Sequence, residues 1–426
     1  MNPAIDTGDT AWMLVATALV LMMTPALGLF YAGLVRSKNT LNTFMMSIAA
    51  MAIATVSWTA VGYSLAFDGD NPVIGGFGHA FLSGVGFEPR DGTTIPHLVF
   101  FAFQASFCII TTALISGAVV ERMRFGPFLA FSAAWSVLVY PLLAHWAFGG
   151  GWLMARGALD FAGGVPVEMG SGFSALAAAL VVGARKDYGR LAILPHNAMF
   201  VLLGAGLLWF GWFGFNGGSG FSTGNASVLA FVNTLVCPAC TLVVWFILDL
   251  ARDRKITAVG AATAIVVGCV AITPAGGYLS PGWAMALGAF AAVPSHMLIT
   301  WRTRTRVDET LDVLAAHGLG GFVGILFIGF FAQASWNGVS DGIVFGNADQ
   351  LLDQVLAAAA APVTAFAATW VILKAIGLVT PLRATPREEA LGMDVTYHGE
   401  EAYVSGEGAL LIVQPPDEAP VRAGRP

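Results

Sequence analysis

Two ionisable side chains stand inside apolar stretches, Glu168 in DFAGGVPVEMGSG and His317 in AAHGLGGFVG. Such groups are costly in lipid and face a protein interior or a water path. Gly164 and Gly172 lie four residues to either side of Glu168, and Gly320, Gly321 and Gly324 follow His317. Each polar residue therefore rides a helical stripe of glycine. Small residues at that spacing let membrane helices approach closely. The pattern predicts that the two segments cross and that Glu168 and His317 meet there. An imidazole beside a buried carboxyl supplies a charge or a hydrogen bond that offsets desolvation, and such a pair titrates as one unit. The pair can handle a proton, or it can simply clamp two helices.

Aromatic residues form a second constellation. Phe103 and Phe107 are spaced i, i+4, while Trp212, Phe215 and Ser219 are spaced i, i+3, i+7. Aromatic faces attract a cation, and a serine hydroxyl adds an acceptor, which suits a small cation; packing is the plainer use of such stripes. Asp160 stands where it can cap the next helix through the amides of Phe161 to Gly163, and its charge favours a cation outside the membrane. Cys237 and Cys240 spell CPAC, but within an apolar span and without the βα setting of a thiol redox motif. His145 and His196 lie near span ends, where local hydrogen bonds are the expected use. No metal site, nucleotide site, cofactor or catalytic nucleophile is indicated.

These residues need membrane helices to hold them. Hydrophobic residues make up 57% of the 426 and charged ones 11%, against roughly a quarter charged in a soluble domain; mean hydropathy is +0.74. A span needs about 20 apolar residues. Windows of that kind run over 11–34, 43–66, 97–119, 126–149, 162–183, 196–217, 227–249, 257–274, 282–300, 313–333 and 353–379. The expected fold is an all-α polytopic membrane protein of eleven transmembrane helices, because barrel strands would alternate in polarity and these segments do not. The apolar run after MNPAIDTGDT reads as the first span, not a signal peptide. Alternate connections and the tail carry 17 of the 20 basic residues, leaving only Arg90 and Arg156 on the opposite side and Lys374 within the last span. Lys and Arg favour the cytoplasmic side, so the N-terminus is expected outside and the C-terminus inside.

Ten helices before the last suggest two five-helix halves, and an odd number per half inverts one against the other, a transporter habit. The expected layout is a membrane domain over 1–380, with repeat A about 8–184, repeat B about 195–334 and a last helix about 353–380, then a cytoplasmic tail over 381–426. The last dozen residues, Pro-rich and polar, read as disordered.

The segments GDTAWML, LGLFYAGLVRSKN, ERMRFGPF, GALDFAGG, LPHN, WFGWFGFNGGS, AITPAGGYLSP, HGLGG and LGMDVTYHGEEAY, in this order from about residue 8 to 404, resemble the ammonium transporter family, Amt/Mep/Rh, and its Amt/Mep branch more than its Rh branch. The resemblance implies a homotrimer in the cell (plasma or inner) membrane, each subunit with its own pore, and no enzyme activity. It implies that Phe103, Phe107, Phe148, Asp160 and Ser219 recruit ammonium on the outer side. It makes Phe107 and Phe215 a stacked gate, Glu168 and His317 the pore pair, and Trp212 and Thr273 its support. Two positions depart from the family pattern. Glu168 stands where the first of two pore histidines is usual, as in one fungal Mep subgroup, and Phe148 stands where tryptophan is usual.

The expected mechanism follows from the cost of bringing a bare ion into an apolar pore. Ammonium gives up its proton at the outer site, ammonia passes, and the proton stays outside or travels through Glu168 and His317. The resemblance also makes a PII-type signal protein a candidate partner at the cytoplasmic face, with membrane lipid as surroundings and no nucleic acid. The alternatives are an ammonium sensor signalling through the tail and a neutral gas channel. No kinase or cyclase segment follows the tail, which weighs against the sensor.

Overall fold

The computed structural model describes residues 4–403 apart from residue 192. The proline-rich end read as disordered lies outside the described residues. Among those residues the chain is helical, and pairing of extended segments is limited to isolated bridges such as Met123 with Arg383.

Ten helices are long and apolar enough to cross a membrane: α1 (Thr7–Leu34), α2 (Ser37–Phe67), α3 (His97–Ala118), α4 (Phe125–Arg156), α5 (Gly164–Val182), α6 (Ala198–Gly218), α7 (Asn225–Asp253), α9 (Pro281–Arg302), α10 (Leu314–Phe331) and α11 (Ala348–Val379). Between α7 and α9 lies α8 (Ala258–Ile272), apolar but only 15 residues long, or about 22 Å of rise. The eighth expected span is thus shorter than its window. Thr273 keeps helical backbone angles, φ −51° and ψ −54°, but Pro274 after it has no N–H to continue the ladder, and the chain goes on in a run of turns. Two short helices, α12 (Pro386–Leu391) and α13 (Met393–His398), follow.

Burial separates centre from rim. The apolar windows of α3 and α5 are 78% buried, whereas those of α2, α7, α9 and α11 are 28 to 33% buried. The first pair forms the middle of the bundle, and the second group presents its apolar surface outward, as lipid contact requires. Glycines set the tightest crossings. On α6, a Cβ at Gly204 would come within 2.6 Å of the Phe30 backbone and one at Gly214 within 2.7 Å of Leu19 Cβ, so α6 adds no side chain of its own at these two points of contact with α1.

The last described segment is pinned to the bundle. Thr385 and Glu388 close a capping box at the start of α12. Asp394 accepts from the Leu41 and Asn42 amides at 3.0 and 2.7 Å, capping the first helical turns of α2. Glu388 pairs with Arg124 at 3.2 Å. The part of the tail up to residue 403 is therefore a folded piece resting on the connections between spans.

Candidate functional site

Glu168 and His317 both occupy π-helical turns, Gly164–Met169 at the start of α5 and Leu314–Gly318 at the start of α10. Such turns interrupt the regular hydrogen-bond ladder and recur at functional sites. The expected crossing exists: a Cβ on Gly172 would collide with the Gly318 backbone, and one on Gly321 would reach Glu168 Cβ at 2.5 Å. The rest of the glycine stripe is divided. Gly320 and Gly324 face Val270 and Ala271 of α8, and Gly164 faces both Pro274 and, on α10, Ile325. With the backbones this close, His317 Nδ1 reaches Glu168 Oε2 at 2.7 Å. Both side chains are almost wholly buried, and Glu168 Oε1 has no hydrogen-bond partner among the described residues.

The pair borders a narrow cavity of about 10 Å³, walled by Leu27, Leu114, Val167, Leu208, Trp212 and Phe215. That is close to the least space that holds one water-sized molecule. Trp212 is fixed by donating from Nε1 to Thr273 Oγ1 at 2.8 Å, while Thr273 donates to the Cys269 carbonyl at 2.8 Å. Thr273 thus touches the wall and not the cavity. On the side of this cavity toward Asp160 the Phe107 and Phe215 rings lie 4.1 Å apart between centroids, at 33°. At that spacing nothing passes between them until a ring turns.

Beyond the rings opens a cavity of about 770 Å³ whose lining includes Phe107, Phe148, Asp160 and Ser219. Ser219 donates to the Phe215 carbonyl at 2.8 Å, so its oxygen faces the cavity as an acceptor. Phe103 differs from expectation. It is fully buried, packed on Phe107 at 4.8 Å and on Phe221 at 5.8 Å, and it does not line the cavity. The cavity face of α3 is instead Phe100, Gln104 and Phe107. Gln104, an amide within an apolar span, was the available signal for that face. Arg90, whose guanidinium carbon stands 4.1 Å over the Phe100 ring, and Phe221 also line the cavity; neither has a sequence signature of such a role.

Asp160 caps α5, as expected through Gly163 but otherwise through the two amides after it and not the two before. Its Oδ1 accepts from the Gly163 and Gly164 amides at 2.9 and 2.7 Å, and Oδ2 from Val165 at 2.7 Å. The Phe161 amide goes to the Pro274 carbonyl. His145 and His196 bond backbone carbonyls, as expected of structural histidines. Among the described residues no group of three or more His, Cys, Asp or Glu could hold a metal ion.

A third cavity, about 430 Å³, opens on the other side of His317 and is bordered by Tyr31, Arg185, Arg302, Thr310 and Asp312. Three cavities thus follow one another through the centre, parted first by the phenylalanine pair and then by the Glu168 and His317 pair.

The model of the Ammonium Transporter Family matches residues 11–403. The chain belongs to the ammonium transporter family. It is 45% identical over 399 residues to the ammonium transporter of Bacillus subtilis, covering 93% of this chain and 98% of that one. It is 38% identical to ammonium transporter Amt1 of Archaeoglobus fulgidus, covering 93% and 99%. The crystal structure of Candida albicans Mep2 superimposes with a TM-score of 0.86 at 33% identity, over 90% of this chain and 88% of that one. The structure named Sensor Amt Protein superimposes with a TM-score of 0.85 at 29% identity, over 92% and 98%. For this ammonium transporter, the path through the three cavities is the candidate route.

Proposed function

We propose that this ammonium transporter takes ammonium from the outer cavity, strips its proton, and passes ammonia inward while Glu168 and His317 carry the proton. The observation that supports this most is the 2.7 Å bond between the two side chains across the crossing of α5 and α10, at a constriction between two cavities. In this reading Phe107, Phe148, Asp160 and Ser219 form the recruiting site, with Phe103 as backing for Phe107. Phe107 and Phe215 gate it, and Trp212 and Thr273 hold the wall of the pore. A desolvated ion is costly in an apolar constriction, whereas a bonded acid and imidazole can accept a proton on one side and donate on the other.

The proposed architecture counts α8 as a short eleventh span, with the N-terminus outside, the C-terminus inside and two inverted five-helix halves. In support, α1 crosses α6 and α5 crosses α10, which pairs first helix with first and fifth with fifth. The proposed assembly is a homotrimer in the plasma or inner membrane. The folded tail near Lys38, Arg124 and Asp394 offers the docking face for a PII-type protein. A sensing role is the second reading, favoured by the likeness to the structure named Sensor Amt Protein.

The test is current evoked by ammonium pulses on proteoliposomes. Glu168→Gln keeps the shape of the side chain and removes its titration, so the current should fall by roughly 10²-fold, the usual contribution of a positioned acid–base group. An unchanged current in that variant ends the relay reading. Absence of current in the unmodified protein, with ammonia entry retained, makes it a neutral gas channel.

A further inference from the structure

A buried acid near the inner cavity has no part in the path described so far. Glu309 is fully buried, and its Oε1 has no partner among the described residues. Its Oε2 receives the Leu314 amide at 3.4 Å, beyond the range of a good hydrogen bond. Three residues on, Asp312 adopts a left-handed backbone with φ 59°. A residue other than glycine held in that conformation is an outlier that points to a constraint. The side chain of Asp312 is 24% exposed, and it lines the inner cavity together with His317.

The surrounding charges leave this pair of acids short of one cation. Arg185, from the connection between α5 and α6, is engaged by Asp308 at 2.8 Å and by Glu121. Arg122, before α4, donates to the carbonyls of Gly183, Ala118 and Asp308. Arg302, at the end of α9, holds Asp312 Oδ1 at 2.6 Å, and Tyr188 donates to the Val307 carbonyl at 3.0 Å. One guanidinium thus faces two carboxyl groups. Burial, and after it the charge of Asp312, pushes the Glu309 carboxyl up to about 7.

We propose that Asp312, backed by Glu309, is the exit station that takes the proton from His317 and releases it to the inner side. The inference rests on the relay reading above. In the transfer, the His317 imidazolium gives its proton through cavity water to the Asp312 carboxylate. The imidazole returns to its neutral form, and a carboxylic acid appears. That acid then releases the same proton to solvent at the inner mouth. Glu309, sharing one proton with Asp312, sets how readily the station fills and empties.

The experiment uses the full chain in proteoliposomes with ammonium pulses, at equal pH on both sides from about 5.5 to about 8.5, which brackets the carboxylate and imidazole ranges. Ammonia entry is read in parallel from alkalinisation of a pH dye in the lumen. Asp312→Asn and Glu309→Gln should lower the current about tenfold, less than the roughly 10²-fold of a fully committed acid–base group because cavity water can substitute. Ammonia entry should persist, the ratio of variant to unmodified current should change with pH, and Asp312→Glu should restore part of the current. Unchanged current, or a ratio constant across the pH range, overturns the exit station. If Glu168→Gln abolishes the current and Asp312→Asn does not, only the exit station falls. If Glu168→Gln leaves the current intact, the relay and the station fall together.

Discussion

The starts of α5 and α10 are built to one plan and finished differently. Asp160 precedes Glu168 by eight residues, as Glu309 precedes His317, and each acid accepts from the amide five residues on, Val165 or Leu314. Five residues before each pore residue stands a left-handed position, Gly163 with φ 122° and Asp312 with φ 59°. Around Asp160 the plan is complete: glycine takes the left-handed turn, and three amides between 2.7 and 2.9 Å satisfy the acid. Around Glu309 the Leu314 bond is long, one oxygen is without a partner among the described residues, and an aspartate occupies the position that suits glycine. One end is a finished cap and the other keeps two titratable acids in reserve. The difference teaches that two ends of like spacing are satisfied to different degrees, fully around Asp160 and only in part around Glu309.

The comparison depends on both ends meeting at one crossing, and Gly172→Val would break it outright. The added carbons meet the Gly318 backbone, which cannot swing aside as a side chain can. The loss should exceed the ~1–3 kcal/mol of ordinary overpacking, seen as little or no monodisperse protein on size exclusion in detergent. Gly206, with open space around it, is the control: Gly206→Val should behave like the unmodified chain.

Next in size is the cap itself. Asp160→Asn turns an acceptor-only group into one that presents an NH2 to an amide it formerly bonded. A buried donor left unmatched costs about 1–3 kcal/mol, and the charge at the helix start is lost as well. Thermal unfolding in detergent should shift down by several degrees. A midpoint equal to that of the unmodified protein would mean that the three amide bonds do not hold this end.

Glu309→Gln should act in the opposite sense and only through pH. A carboxyl raised in the folded state costs nothing below its unfolded value of about 4.5, costs progressively more as pH rises to about 7, and costs a constant amount above that. Relative to Glu309→Gln, the unmodified protein should therefore lose thermal stability between those two values and run parallel to it at higher pH. Parallel curves throughout would mean that Glu309 is ordinarily ionised and that the inner end is no less finished than the outer.

Much of this was legible in the sequence, for physical reasons that also mark where legibility ended. Ionisable residues in apolar runs are rare enough that Glu168 and His317 declare themselves, and the glycines at Gly172 and Gly321 announced a close crossing. The same stripe could not say that Gly320 and Gly324 serve α8, because a glycine records that something is near and not what. Spacing of i, i+4 sets Phe103 and Phe107 on one face but does not say what that face meets; the polar Gln104, which lines the cavity, holds that information. Of the amides expected to meet Asp160 only that of Gly163 does, because residues 161–163 are not yet helical and the cap reaches on to Val165. The inner cavity was hidden among loop charges, which orientation rules alone explain. The left-handed backbone of Asp312 has no sequence signature, since aspartate is common in ordinary turns.

The smallest expected effect lies at Phe148, on the wall of the cavity of about 770 Å³. Phe148 lines the cavity and is partly exposed, so any cation that meets its face is still partly hydrated. Tryptophan offers a stronger face, but a whole cation–π contact at a wet site supplies only about 0.5–1 kcal/mol, so the difference between the rings should lower the half-saturating ammonium concentration by at most about twofold in Phe148→Trp. The maximal current should stay the same, because ring identity at the mouth does not touch the gate or the pair. An unchanged half-saturating concentration would remove cation binding from the duties of this wall and leave Ser219 and the charge of Asp160 to recruit the ion. A lower maximal current would instead mean that release from the outer site limits the turnover, in which case phenylalanine here trades affinity for speed.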